Sequence, residues 1–293
     1  MKTIQSIGIW GNTEKSQFWA LLHPLLDWIQ AKNLTPFITT RIREMTREPF
    51  SDSIRIIEKP ADLDRLDLLL VLGGDGTLLS ASRAVMNYDL PILGIHLGNL
   101  GFLAKVMEKD LTVRLEDILA ENYSLDSRSM LEGLFKKNGE TISHFALNDI
   151  VIRNSESHRM MSIKVKVNGA FVGDYKADGL IVATPTGSTA YSLSAGGPIM
   201  APDVHTIVIT PISPHSLTSR PLVVSDKSMI DIQIVDQEEP FIFTADGQIH
   251  ETLFPSEMIQ VKIAKHRVQL IDFGDQSYFK TLRTKMGWGK RGE

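Results

Sequence analysis

The chain has 293 residues, of which 43% are hydrophobic and 23% are charged, and its formal net charge is −4. These values are typical of a globular protein with two domains and argue against nucleic acid as a general partner. The absence of cysteine excludes disulfides, thiolate catalysis and cysteine-based metal sites, and neither a signal peptide nor a membrane-spanning apolar run is recognisable. We therefore expect a soluble, cytoplasmic protein.

The first part of the chain alternates short apolar runs with segments of helical spacing. The predicted strands are residues 1–10, 34–40, 66–72 and 90–95, and the predicted helices are residues 18–29, 77–86 and 111–119. Residues 41–60 are mixed and polar and are interpreted as a variable connection. Such alternation predicts a Rossmann-like parallel sheet, whose ligands bind beyond the carboxyl ends of the strands.

A glycine-rich loop, Gly73-Gly74-Asp75-Gly76-Thr77, lies between a predicted buried strand and a predicted helix. Backbone N–H groups at a helix N-terminus, together with the helix dipole, form an anion site. The loop has neither the lysine of a P-loop nor the dinucleotide fingerprint, and it carries Asp75 instead. A carboxylate among phosphates is expected to abstract a proton from an attacking hydroxyl or to help hold Mg²⁺. The simpler alternative is a turn in which Asp75 caps the helix.

A second glycine-rich loop, with Gly94, Gly98 and Gly101, follows the next predicted strand. Because parallel strands end at one edge of a sheet, we expect this loop to lie beside Gly73–Thr77 and to share its ligand. His96 in this loop is interpreted as a packed or capping residue rather than as a catalytic base.

From about residue 125 the pattern changes to strands. The predicted strands are residues 130–135, 145–152, 161–167, 205–210, 221–224, 229–235, 241–245, 258–264 and 267–273. Asn138-Gly139 and Asn168-Gly169 favour type I′ hairpins. We therefore predict a second domain of antiparallel β-sandwich type over residues 125–274. The first domain would comprise residues 1–124 and be completed by an amphipathic helix within 275–293 that buries Tyr278, Phe279, Leu282 and Met286.

The segment Asp178–Pro198 is the longest candidate functional stretch. A buried strand is predicted to end at Thr184, followed by a turn crowded with hydroxyls and a short helix from Ser188 to Gly196. The hydroxyls suit ribose and phosphate, and the face of Tyr191 suits a base or nicotinamide ring. The alternative is a capped helix without ligand contacts.

Along nearly its whole length the sequence resembles the bacterial NAD kinase family. The matching segments are Gly73–Thr77, Gly98–Leu103, Asn148-Asp149, Asp178–Pro198, Pro214–Leu217, Arg220–Leu222, Asp246–Gln248 and Ser277–Trp288. The first loop also resembles those of diacylglycerol-type lipid kinases and phosphofructokinases. Asn148-Asp149 and Asp178–Pro198 separate the chain from both.

The resemblance implies transfer of the γ-phosphoryl group of ATP, or in some members of polyphosphate, to the 2′-hydroxyl of the adenosine ribose of NAD. Asp75 would be the general base, Asn148 and Asp149 would hold the adenosine part, and Asp178 would bind near the nicotinamide. The implied ligand-binding residues are Gly74, Gly76, Asn99, Phe102, Asn148, Asp149, Lys176, Asp178, Thr186, Thr189, Ala190, Tyr191, Ser194, Asp246 and Gln248.

Further expectations concern the metal, the assembly and two departures from the family. Since the phosphate loop lacks a lysine, the reaction should need Mg²⁺ with ATP. The family also implies a site between the two domains and a homodimer or homotetramer held by the β-domain. Many members have Glu where this chain has Asp149, and Lys176 stands where an arginine accompanies preference for NAD over NADH.

Two other classes of function remain open on the sequence. A lipid kinase would share the phosphate loop, but it should also show an apolar or basic surface for membrane docking, which the sequence lacks. A non-catalytic regulator that binds NAD or NADP would keep the pocket residues. Asp75 argues against it, because binding alone would favour a neutral residue among phosphates.

Overall fold

The computed structural model describes residues 3–46, 49–98, 101–155, 159–236 and 238–288. Its α-helices are α1 (Ser16–Ala31), α2 (Thr40–Met45), α3 (Asp75–Val85), α4 (Leu111–Leu119), α5 (Tyr191–Ser194) and α6 (Tyr278–Met286). Within these residues, every helix is too short or too polar to cross a membrane.

The strands fall into two groups along the chain. The first group is β1 (Ser6–Gly11), β2 (Thr35–Thr39), β3 (Arg55–Ile57), β4 (Leu68–Gly73), β5 (Ile92–His96) and β6 (Val106–Met107). The second group is β7 (Ser124–Lys137), β8 (Glu140–Ala146), β9 (Asp149–Asn154), β10 (Met161–Val167), β11 (Ala170–Ala177), β12 (Gly179–Ala183), β13 (Thr206–Ile212), β14 (Leu222–Ser225), β15 (Ile230–Val235), β16 (Phe241–Ala245), β17 (Ile249–Leu253) and β18 (Ile259–Asp272).

The chain forms two compact units, of which unit 1 comprises Met1–Ser127 with Val268–Glu293 and unit 2 comprises Arg128–Arg267. In unit 1, β3, β2, β1, β4 and β5 follow one another in a parallel sheet. Its strands are apolar on both faces, since they pack between helices, and every residue of β4 is buried. The return of the chain to unit 1 begins before α6, because Leu270 of β18 pairs with Ile92 of β5.

Unit 2 consists of two antiparallel sheets around a common apolar core. One sheet has the order β14, β13, β12, β9, β16, β17, and the other contains β11, β10, β15 and β18, with β7 and β8 beside β18. Alternate side chains of both sheets meet in a single cluster that includes Phe241 and Phe243. Both predicted hairpins are confirmed, because Asn138-Gly139 and Asn168-Gly169 adopt the positive φ values that a type I′ turn requires.

Some of the predicted strands differ from those observed. The predicted strand at 145–152 is interrupted at Leu147 and Asn148, because the backbone N–H groups of these residues bind the carboxylate of Asp246 instead of a neighbouring strand. The segments 258–264 and 267–273 form one strand, β18, since no glycine or proline separates them. The prediction also missed α2, β3, β6, β11 and β17.

The C-terminal helix α6 is shorter than predicted and buries fewer of its side chains. Leu282 is buried, whereas Tyr278 and Met286 are half-buried. The prediction for Phe279 is wrong, because its side chain is 63% exposed and contacts the Tyr278 ring edge-on. In this short helix, Leu282 shares its buried face with Thr281, and Phe279 points away from it.

Candidate functional site

The glycine loop of unit 1 places the start of a helix at the carboxyl edge of the sheet. β4 ends at Gly73 and α3 begins at Asp75, with Gly74 as its N-cap. The N–H groups of Thr77 and Leu78 both donate to the Gly74 carbonyl. The positive end of the α3 dipole therefore lies at the edge where ligands of parallel sheets bind.

Asp75 binds the second glycine-rich loop and does not cap α3. Its carboxylate accepts hydrogen bonds from the backbone N–H groups of Phe102, Leu103 and Ala104 at 2.9, 3.1 and 3.2 Å. A Cβ at Gly101 would lie 2.0 Å from Asp75 Oδ1, so this close approach requires glycine. The expected meeting of the two loops is thus confirmed, and the capping alternative is wrong.

These contacts fix the orientation of the Asp75 side chain. The carboxylate is half-buried, and three donors stabilise its negative charge. The half-buried Phe102 ring lies 5.8 Å from Nζ of Lys285 in α6. Gly74 and Gly76 lie at the start of α3, and Asn99 lies outside the described residues.

Unit 2 contains an open pocket of about 550 Å³. Its lining residues are Asn148, Asp149, Val151, Arg153, Ala190, Tyr191, Thr244, Asp246, Gly247 and His250. Five of the predicted site residues meet here, namely Asn148, Asp149, Ala190, Tyr191 and Asp246. The volume lies in the range of small-molecule sites, and one end of the lining is acidic.

The acidic end of the pocket is built by the backbone around Asn148. Asp246 accepts hydrogen bonds from the N–H groups of Leu147, Asn148 and Asp149 at 3.0, 2.7 and 3.3 Å. The N–H of Asp246 in turn donates to the Asp149 carbonyl at 2.9 Å. This reciprocal bonding holds the interruption between β8 and β9 open.

Asp149 is the most perturbed acid of the pocket. Burial and, to a smaller extent, the nearby charge of Asp246 raise the pKa of its carboxyl to about 7, against the opposing effect of the Tyr191 N–H. The side chain is only 5% exposed. Near neutral pH it is therefore present in both protonation states, and its protonated form donates a hydrogen bond that a carboxylate cannot.

Three hydroxyls between Thr184 and Ser194 are fully buried within the protein, so the prediction that the hydroxyls serve ribose and phosphate is wrong for Thr184, Ser188 and Ser192. Those of Thr184, Ser188 and Ser192 are fully buried and bind Leu147 O, Pro185 O and Thr210 Oγ1, respectively. Thr186 Oγ1 accepts from Arg128, and Thr189 Oγ1 donates to Thr186 O. Thr189 is half-buried, and Ser194 is exposed.

The turn at Gly187 packs directly on the Asn148 segment. A Cβ at Gly187 would lie 2.0 Å from the Asn148 carbonyl oxygen, which also accepts the N–H of Thr184 at 2.9 Å. This contact places Ala190 and Tyr191 at the pocket. Lys176, Asp178 and Gln248 are exposed and do not line it.

The pocket also contains residues that sequence reasoning missed. Arg153 and Val151 share a face with Asp149 because they follow it at intervals of two in β9. The alternation of side chains in a strand therefore could have predicted both residues once Asp149 was placed in the pocket. His250 reaches the pocket from β17, where it pairs with Thr244, and only the strand register reveals that position.

The described residues contain no group of three or more His, Asp or Glu side chains arranged to hold a metal ion. In proteins Mg²⁺ usually keeps several water molecules and is bound by one or two carboxylates together with substrate phosphates. The oxygen atoms of a nucleotide triphosphate are such ligands, and they fit the mode in which Mg²⁺ keeps most of its coordination sphere outside the protein.

Comparison with known proteins defines the class of both parts of the chain. Residues 7–123 match the ATP-NAD kinase N-terminal domain, and residues 147–273 match the ATP-NAD kinase C-terminal domain. The NAD kinase of Syntrophotalea carbinolica is 38% identical over 98% of this chain and 100% of its own length. The NAD kinase of Pseudomonas fluorescens is 37% identical over 99% of this chain and 98% of its own length.

Solved structures agree with this class. Yeast NADH kinase complexed with NADH matches with a TM-score of 0.91 and 25% identity, covering 100% of this chain and 90% of the yeast chain. An Archaeoglobus fulgidus NAD kinase in complex with ATP shares the fold, with a TM-score of 0.73 and 22% identity over 96% of this chain and 98% of the archaeal chain. The chain belongs to the NAD kinase family, whose reaction is ATP-dependent phosphorylation of NAD, and not to the lipid kinases.

Proposed function

We propose that Asp75 is the general base of this kinase. Its carboxylate accepts the proton of the 2′-hydroxyl of the adenosine ribose of NAD while that oxygen attacks the γ-phosphorus of ATP. The bond between the γ-phosphorus and its bridging oxygen breaks, ADP leaves, and NADP is formed. The observation that carries this role is the fixed carboxylate, held by three N–H donors at the start of α3.

The fixed position of the Asp75 carboxylate suits it to phosphoryl transfer. Because the transition state is loose, the attacking hydroxyl loses its proton late, and position matters more than base strength. The helix dipole at Gly74 and Gly76 favours the negative charge of the phosphates. Asp75 therefore combines a defined position with a site suited to phosphate.

The pocket of unit 2 is the proposed site for NAD. Asn148 and Asp149 would bind its adenosine part, and Tyr191 with Ala190 would cover a ring. Asp246 would act by positioning the Asn148 segment through its three backbone hydrogen bonds. The family resemblance supports eight further ligand residues, which we also propose: Asn99, Phe102, Lys176, Asp178, Thr186, Thr189, Ser194 and Gln248.

Mg²⁺, bound mainly by the ATP phosphates, would neutralise the charge that develops during transfer. The donor chemistry supports this assignment, because triphosphate oxygens are the ligands that Mg²⁺ usually takes in kinase sites. A homo-oligomer held by the β-domain and a cytoplasmic location likewise stay predictions.

The test is the rate of NADP formation by the purified chain with ATP, Mg²⁺ and NAD, compared with that of Asp75→Asn. The asparagine oxygen can still accept from Leu103 and Ala104, which both bind Oδ1, so the loops should stay together. We expect kcat to fall about 100-fold or more, which is the usual contribution of a positioned base. The dissociation constant of NAD should change little.

Asp89→Asn is the matched control, since Asp89 is an exposed aspartate of the same unit. It should retain full activity. A near-normal kcat in folded Asp75→Asn would refute the base assignment. Tight NAD binding without turnover in the unaltered chain, with every phosphoryl donor tried, would support the regulator and refute the kinase.

A further inference from the structure

Lys15 brings a positive charge to the loops of the carboxyl edge in unit 1. It stands between β1 and α1, and its Nζ donates a 2.5 Å hydrogen bond to the carbonyl of Leu97. The N–H of Leu97 donates to the Gly73 carbonyl at 2.8 Å. Leu97 thus connects the Lys15 ammonium, through two hydrogen bonds, to Gly73, the first residue of the phosphate loop.

The ammonium of Lys15 has no carboxylate partner within 4 Å among the described residues. Some other lysines of the described residues are paired with carboxylates, such as Lys32 with Glu116 at 2.7 Å and Lys137 with Glu251 at 2.7 Å. Lys15 is half-buried, and its one hydrogen bond in the described residues uses one of three donors. A partly desolvated cation with two unused donors is suited to bind an anion.

We propose that Lys15 binds phosphate oxygens of the triphosphate of ATP and so supplies the cation that the loop Gly73–Thr77 lacks. P-loops carry such a lysine within the loop itself, where it contacts the outer phosphates. Here it comes from the preceding strand-to-helix connection, and the Leu97 carbonyl orients it. The inference rests on the proposed use of ATP as donor at this loop.

Lys285 is a second cation beside these loops, and it is less suited to this role. Its Nζ lies over the Phe102 ring, and its side chain is exposed to solvent. An exposed ammonium is screened and mobile, whereas Lys15 is held by a backbone carbonyl. The geometry therefore favours Lys15 for a fixed contact with phosphate.

The test compares Lys15→Met, which keeps the chain length without the charge, with Lys15→Arg, which keeps the charge. Lys32→Met is the matched control, because Lys32 lies at the opposite end of α1 and its loss changes the net charge equally. The measurements are KM for ATP, KM for NAD, and the dissociation constants of inorganic tripolyphosphate and adenosine without NAD present.

In Lys15→Met we expect KM for ATP and the dissociation constant of tripolyphosphate to rise roughly 10-fold or more. KM for NAD and adenosine binding should stay unchanged, and Lys15→Arg should recover part of the loss. Normal tripolyphosphate binding in Lys15→Met, or equal weakening in Lys32→Met, overturns the inference. So does a rise confined to KM for NAD, which would assign Lys15 to the diphosphate of the acceptor.

A second measurement uses the unaltered protein, so that a folding defect in the variants leaves the inference testable. Tripolyphosphate should slow the acylation of Lys15 by an amine-reactive reagent, followed by mass spectrometry, and should leave Lys32 unaffected. Equal acylation of Lys15 with and without tripolyphosphate overturns the inference. Because this binding is measured without turnover, an inactive chain that protects Lys15 would refute the proposed catalysis and support the phosphate contact.

Discussion

Asp246 Oδ1 accepts a 2.7 Å hydrogen bond from the backbone N–H of Asn148, across almost one hundred residues of sequence. The same carboxylate also binds the N–H groups of Leu147 and Asp149. Its charge is therefore stabilised by the backbone, while the neighbouring Asp149 carboxyl is buried without comparable donors. Two carboxyl groups of one pocket thus have unlike environments, and the difference leads to a pH dependence.

Asp149 should make the free energy of unfolding depend on pH between the pKa of its carboxyl in the unfolded state and that in the folded state. Its pKa rises from 3.8 to about 7 on folding, so the folded state keeps a proton that the unfolded state has lost. Stability from this group is fully present below about pH 4 and declines as the pH rises to about 7. Replacing Asp149 by Asn removes the titration. The stability of the variant relative to the unaltered protein should rise with pH by roughly 1.4 kcal/mol per unit in that window.

Urea unfolding at several pH values measures this difference. Asp174→Asn, at an exposed position of β11, is the control and should leave the pH profile unchanged. Parallel profiles for Asp149→Asn and the unaltered protein would contradict the raised pKa.

Gly187→Ala should displace the Asn148 segment. The added methyl group would lie 2.0 Å from the Asn148 carbonyl oxygen, and this neighbour is backbone that cannot rotate away. We expect a loss of about 1–3 kcal/mol in the free energy of unfolding, together with weaker NAD binding. The control is Gly173→Ala, where the nearest atom is a Tyr175 ring carbon at 3.9 Å. Equal stability and NAD affinity in both variants would be incompatible with this packing.

Ser188→Ala and Ser194→Ala test the structural role of the buried hydroxyls. Ser188 Oγ accepts the N–H of Met200 at 2.9 Å and donates to Pro185 O at 2.7 Å. Its removal leaves buried polar groups unpaired, which costs about 1–3 kcal/mol. Ser194 is exposed, so its replacement should change stability by less than about 0.5 kcal/mol. Thermal and urea unfolding of the two variants should rank them in this order, and the reverse order would disprove the structural role.

The sequence predicts the local parts of this protein well. The strand, the glycine turn and the helix around Asp75 follow from neighbouring residues, since apolar runs, glycine and helix formers act over short distances. The dipeptides Asn138-Gly139 and Asn168-Gly169 predict their turns because they accept positive φ. The meeting of the two loops at one edge follows from the parallel sheet.

The remaining features depend on contacts between distant residues. No local signal indicates that Asp246 interrupts a strand at Leu147, or that Ser188 binds Met200. The sequence of a serine-rich turn is the same whether its hydroxyls contact a ligand or the protein. Burial in the folded structure decides between the two, and local sequence does not predict it. His250 was missed for the same reason, since its place in the pocket follows from strand pairing.

The backbone around Asn148, between β8 and β9, is held by hydrogen bonds and close packing. Pocket residues that make these contacts should tolerate substitution less well than pocket residues that do not. The main chain around Asn148 accepts or donates hydrogen bonds with Thr184 and Asp246 and packs against Gly187, so a change in any of these residues alters several contacts together. Arg153 and His250 line the same pocket, but they are exposed and are not among the residues that hold this backbone. Variants designed to alter what this pocket binds should therefore change these two side chains and keep the contacts of Asp246, Thr184 and Gly187 with the Asn148 segment.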